Sequence, residues 1–289
     1  MDERMDRLAG LLGANVADRD NAGYGVDHYN TAGAHHYPEA YAHFGRAALA
    51  LGDRDLAERC AEKLLAIGQP WGLPWDWSGV PAGTGFVTTT VAALHLLADL
   101  GHDPDLGWVA EHASVYGDKK HASGKEVVWN SVAQAAGILA RGGRHTVLVN
   151  VLVADLADVL HHGLFPYSPE SPHFFEQHQA MCIEGLLLTD QPAALDLVEE
   201  SMTATWKHLF LEEPIGRVSV DRSEEMWSQH LALHAWCFAE AGYGERASAL
   251  ENRLLDRYVA ADGAVLTCPG GPRSVRMASA ALSALARMA

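Results

Sequence analysis

Carboxylates, histidines and aromatic rings gather at recurrent points of the chain, each next to a segment rich in small apolar residues. Asp76 stands between Trp75 and Trp77 in WGLPWDW. Glu126, Trp129 and Asn130 lead into SVAQAAGILA, and Tyr167 precedes Glu176 and His178 in FEQHQAMCIE. Asp221, Glu225 and Trp227 come before QHLALHAW, His36 and Tyr37 before PEAYAHFG, and Arg276 lies in SVRMASAAL. Aromatic faces stack on the apolar C–H faces of sugars, and carboxylates accept hydrogen bonds from neighbouring hydroxyls, so this mixture suits a saccharide.

Breaking a glycosidic bond takes two carboxyl groups, one protonated and one ionised. Asp76 and Glu176 are the leading pair. Desolvation between two Trp rings would raise the pKa of Asp76 and fit it to donate a proton. Glu176 would be the base, with His178 as its orienting partner, and Glu225 with Asp221 forms a reserve pair. Each residue also has a plainer reading: Asp76 as the cap of a turn, Glu176 as an acid that complements a helix dipole, His178 as a core histidine, and the reserve pair as solvated acids. A base and a proton donor meeting at one sugar carbon, drawn from His36, Tyr37, Tyr167 and His178 with Arg276 toward a substrate carboxylate, would epimerise or eliminate instead.

Helices must position these groups. Apolar residues recur at helical spacing nearly throughout, and strand-like alternation is scarce. Six Ala-rich segments, 38–51, 85–100, 126–141, 174–188, 224–241 and 274–288, recur every 42–50 residues, one helical hairpin per interval. Between them lie amphipathic segments 53–67, 104–116, 144–162, 191–208 and 244–258. The N-terminal segment 2–17, striped by Leu8, Leu11 and Leu12, supplies the sixth partner and is expected beside the C-terminal segment. Asp53 and Ser223 are expected N-caps, with Glu224 and Glu225 in the first turn after Ser223, and Pro192 suits a first helical turn. His161 and His162 are expected to complement a helix dipole.

The order and spacing of these hairpins resemble the (α/α)6 toroids of the six-hairpin glycosidase-like and terpenoid-cyclase-like superfamily. Within it the likeness is to proteins encoded among bacterial polysaccharide biosynthesis genes. The motifs behind it are WGLPWDW, TGFVTTT at Thr84 to Thr90, WNSV at Trp129 to Val132, FEQHQAMCIE, and Glu224 to His230. Two segments depart from the pattern: Glu176-Gln177-His178 stands where relatives carry a run of histidines, and Arg273-Ser274-Val275-Arg276 where they carry aromatic-Arg-Trp. The resemblance implies an all-α fold, an (α/α)6 toroid of two concentric helical layers, in a single domain over 1–289. It also implies that the loops entering the inner helices line a central cavity.

Composition narrows the partners. With 21 Lys and Arg against 37 Asp and Glu, the net charge of −16 repels nucleic acid and anionic lipid. The chain has no run of about 20 apolar residues, and its acidic N-terminus does not fit a signal peptide, so a cytoplasmic location is expected. Cys60, Cys182, Cys237 and Cys268 show no paired spacing. His230 and His234 are four residues apart but lack the Glu of a zinc-protease helix. There is no nucleotide-binding glycine motif and no nucleophile elbow. The expectation is a carbohydrate-active enzyme acting by acid/base chemistry on a small-molecule or oligosaccharide substrate, without metal or cofactor, with hydrolysis ahead of epimerisation or elimination. A terpenoid-type cyclase and a non-catalytic glycan-binding toroid are the alternatives.

Overall fold

Residues 3–15, 37–74, 76, 81–113, 128–211, 220–221 and 226–288 are described in the computed structural model. Six helices carry the Ala-rich segments: α2 (Pro38–Ala50), α4 (Val87–Asp99), α6 (Trp129–Arg141), α8 (Glu176–Leu187), α10 (Ser228–Glu240) and α12 (Val275–Arg287). The amphipathic segments alternate with them as α1 (Glu3–Asn15), α3 (Arg54–Ile67), α5 (Gly107–His112), α7 (Thr146–Val159), α9 (Pro192–Thr205) and α11 (Gly244–Arg257). The first set is buried almost along its length, whereas α3, α7, α9 and α11 each bury one stripe, such as Leu56, Cys60 and Leu64 of α3. A helix enclosed on all sides needs small residues where its neighbours crowd, which is why Ala dominates the first set.

Two compact units form by contact. One comprises Met1–Gly85, Ala92–Pro104 and Glu225–Ala289; the other comprises Phe86–Val91 and Asp105–Glu224. In the first, α2 packs on α3 and α12, α12 on α10, and α10 on α11. The N-terminal helix α1 lies against α12 as expected. Arg4 fastens it, pairing with Glu251 at 2.8 Å and donating to the Leu285 carbonyl.

In the second unit α6 packs on α7 and α8, and α8 on α9. Gln134 of α6 donates to the Met181 carbonyl and to Glu184, while Asn130, one turn earlier, reaches the Met181 sulfur. Both partners advance in the same direction, so α6 and α8 run parallel and begin at the same end. Their approach depends on glycine: a Cβ on Gly185 would sit 2.2 Å from the Ala133 carbonyl oxygen.

Local chemistry marks some helix boundaries. Asp53 caps α3 by accepting the Leu56 N–H, and Pro192 opens α9. The start of α10 differs from the sequence expectation. It begins at Ser228 behind an extended Trp227, not behind Ser223, and Ser223, Glu224 and Glu225 lie outside the described residues. The competing interaction is tertiary, since the Ser228 N–H donates to the Thr267 carbonyl. His161 and His162 stand past the end of α7, in a turn where His162 has φ 53°. His161 directly follows the C-cap residue Leu160.

Candidate active site

At the start of α8 the structure assembles an aromatic frame around one histidine. The ring of His178 lies 4.8 Å from that of Tyr167 and 5.4 Å from that of Phe175, both edge-on, and Tyr167 meets Phe175 in the same manner. The backbone holds Tyr167 from two sides. Its N–H donates to the His173 carbonyl at 2.8 Å, and its carbonyl accepts the Trp129 N–H that opens α6. Just upstream, the fully buried amide of Gln179 pairs with both the N–H and the C=O of Phe165, at 2.8 and 2.7 Å. Burial lowers the pKa of His178 to about 4, so the ring is neutral at pH 7.

Glu176 is the first residue of α8 and is half-buried. A two-residue strand, β1 (Phe174–Phe175), runs straight into it and pairs in parallel with β2 (Val220–Asp221), Phe175 opposite Asp221. This pairing brings Asp221 beside the start of α8, 45 residues away in sequence. The reading from sequence coupled Asp221 to Glu225 instead, because a strand of two residues leaves no periodic signal.

Trp129 and Asn130, the first two residues of α6, are both buried. Asp76 is exposed, and its Oδ1 accepts the Ala82 N–H at 2.8 Å. That is the turn-capping geometry, and the desolvation expected from flanking Trp rings does not apply to an exposed carboxylate. Trp75, Trp77, His36, Glu126 and Glu225 lie outside the described residues. Trp227 precedes α10 and stacks on His230 at 5.4 Å. His230 and His234 are both buried, as core residues are.

Tyr37 and Arg276 meet in a second cluster where α2 begins beside α12. The Arg276 guanidinium lies over the Tyr37 ring at 5.9 Å and 3.5 Å from Glu39. Tyr37 donates its hydroxyl to Glu39, and His43 is 3.9 Å from the same carboxylate. Burial pushes the Glu39 pKa up, but Arg276, His43 and Tyr37 outweigh it and bring the value down to about 2. Glu39 and His43 escaped the sequence reading, although their i, i+4 spacing on a helix was a usable signal.

No protein-family model matches the chain, and no curated protein matches it. Solved structures do match over nearly its whole length. A polysaccharide lyase superposes with a TM-score of 0.64 at 13% identity, covering 99% of this chain and 96% of its own. An alpha-1,6-mannanase from Salegentibacter sp. HEL1_6 gives 0.63 at 11%, and a type II terpene cyclase from Scytonema gives 0.61 at 15%, each covering 99% of both chains. The fold is an (α/α)6 toroid. Its two concentric layers are the Ala-rich and amphipathic helix sets, and identities this low establish the toroid fold and nothing finer. Among the described residues no helix of the toroid is long and apolar enough to cross a membrane.

Proposed function

We propose that this chain is a carbohydrate-active enzyme, a single toroid domain over residues 1–289, that hydrolyses a glycosidic bond at the start of α8 by acid/base chemistry. What supports the reading is the parallel pairing of Phe175 with Asp221. Paired strands lie about 4.8 Å apart, so the backbones of two carboxyl-bearing residues, Glu176 and Asp221, are one strand spacing and one residue from each other. Hydrolysis needs two carboxyl groups flanking the scissile bond, and these two are the pair we assign to it. Glu176 sits at the positive end of the α8 dipole, which favours its ionised form and the role of base toward water. Asp221 then protonates the glycosidic oxygen as the C–O bond breaks, water oxygen bonds to the anomeric carbon, and Glu176 takes the water proton. Tyr167, Phe175 and Trp129 offer faces to the sugar ring, and His178 offers it a neutral hydrogen-bonding nitrogen.

The lowered pKa of His178 favours hydrolysis over an epimerisation or elimination in which this histidine would remove a proton from carbon. From 6.5 to about 4 is a loss of basicity of roughly 3 kcal/mol, a poor match to carbon acids. A cyclase binds a hydrocarbon, and the buried polar atoms of Trp129, Asn130 and His178 are unsuited to that. The test is reducing-sugar release from a panel of neutral oligosaccharides. Glu176→Gln and Asp221→Asn should each lower turnover by about 10²- to 10⁴-fold, with Asp76→Asn close to wild type. Wild-type rates in the first two, or loss of activity in Asp76→Asn, would refute the assignment.

A further inference from the structure

We infer that the first turn of α6, with His178 of α8, forms a subsite for an uncharged sugar ring bearing free hydroxyls, so that the substrate is a neutral saccharide and not a uronate. Three side chains carry this. Trp129, Asn130 and His178 are only 5%, 6% and 9% exposed, and each keeps a buried polar atom with no hydrogen-bond partner: Trp129 Nε1, Asn130 Oδ1 and His178 Nδ1. Leaving a buried polar atom unpaired carries its full desolvation penalty. The three stand at the starts of two adjacent parallel helices, where a ligand's hydroxyls would satisfy them.

The Asn130 amide nitrogen lies 3.2 Å from the sulfur of Met181, which follows His178 by three residues on the same face of α8. This contact sets the first turn of α6 beside the first two turns of α8. Together the three atoms are a donor (indole N–H), an acceptor (amide oxygen) and an imidazole nitrogen that takes either role by tautomer. Each sugar hydroxyl donates once and accepts twice, so it can satisfy any of them, and Tyr167 and Phe175 close the frame with apolar surface.

None of these groups is charged at neutral pH, since burial keeps His178 neutral. Glu176 at the start of α8 would repel a uronate carboxylate, and the net charge of −16 repels an anionic polymer before contact. The inference rests on the proposed site but not on its chemistry.

Binding is measured by titrating wild-type protein and Glu176→Gln with neutral gluco-, manno-, galacto- and xylo-oligosaccharides and with trigalacturonate. The readouts are the Trp129 indole N–H resonance, assigned through Trp129→Phe, and the His178 ring nitrogens. At least one neutral probe should shift both, and Asn130→Leu should weaken that probe about fivefold to tenfold. Tighter binding of trigalacturonate, or no shift of either resonance by any neutral probe, would overturn the inference even if the protein hydrolyses glycans elsewhere. Neutral binding without reducing-sugar release would leave the inference standing and defeat the hydrolytic reading. The wild-type shifts decide the matter should Asn130→Leu fail to fold.

Discussion

The cluster around Glu39 ties the first inner helix to the last, and replacing Glu39 by Gln measures how much that tie contributes. Burial on its own would make the carboxyl harder to ionise. Arg276 counters this most, followed by His43 and Tyr37, and the outcome is a pKa of about 2 in place of 4.5. Two and a half units correspond to roughly 3 kcal/mol of folding stability. The folded-state value lies below the unfolded one, so this contribution is complete above pH 4.5 and disappears as pH falls toward 2. Urea unfolding at pH 7 should therefore show Glu39→Gln less stable than wild type by about that amount, with the gap narrowing only below pH 4.5. His178, whose pKa is also lowered, weakens both proteins between pH 6.5 and 4 and cancels from the difference. Repeating the comparison in a His43→Gln background removes the other titratable neighbour of the carboxylate. Pairing Glu39→Gln with Arg276→Met in a double-mutant cycle isolates the ion pair, for which a coupling of about 1–3 kcal/mol is expected. Equal stability at pH 7, or a gap unchanged down to pH 3, would refute the reasoning.

Two further outcomes follow from packing. Gly185→Ala should destabilise the protein by about 1–3 kcal/mol in urea unfolding, because the added methyl meets the Ala133 carbonyl of α6 and cannot be absorbed by a flexible side chain. Burial pushes the Cys60 thiol up to about 12 and raises Cys182 well above its ordinary range, and Cys237 is also buried. Dithionitrobenzoate should therefore label at most the half-buried Cys268 in native protein, with the other three thiols appearing only on unfolding; prompt labelling of two or more would count against the packed α3, α8 and α10.

The helices were legible because the forces that form them are local. A 3.6-residue apolar period, Asp53 three residues before Leu56, and Pro192 ahead of an amphipathic run each act over a single turn, and the ranges read from them agree with α2, α3, α9 and α12 to within a few residues. Where a distant partner decides, the same reasoning shifts. Ser223-Glu224-Glu225 has the composition of a helix start, yet α10 begins at Ser228, whose N–H is taken by Thr267. Asp76 has the neighbours of a desolvated acid, but exposure depends on how its loop folds over, and an N–H six residues on claims its oxygen.

The candidate site combines these two kinds of information. Glu176, His178, Trp129 and Asn130 were accessible to sequence because each opens a helix, and helix starts are marked by composition. Their partnerships were not accessible, because they depend on a two-residue parallel pairing and on one sulfur contact between α6 and α8. The backbone of Asp221 reaches the start of α8 through that two-residue pairing, so its place rests on one short link and not on helix packing. The toroid fold itself leaves the chemistry open: solved structures that share it, at 11–15% identity to this chain, include a polysaccharide lyase, a mannanase and a terpene cyclase.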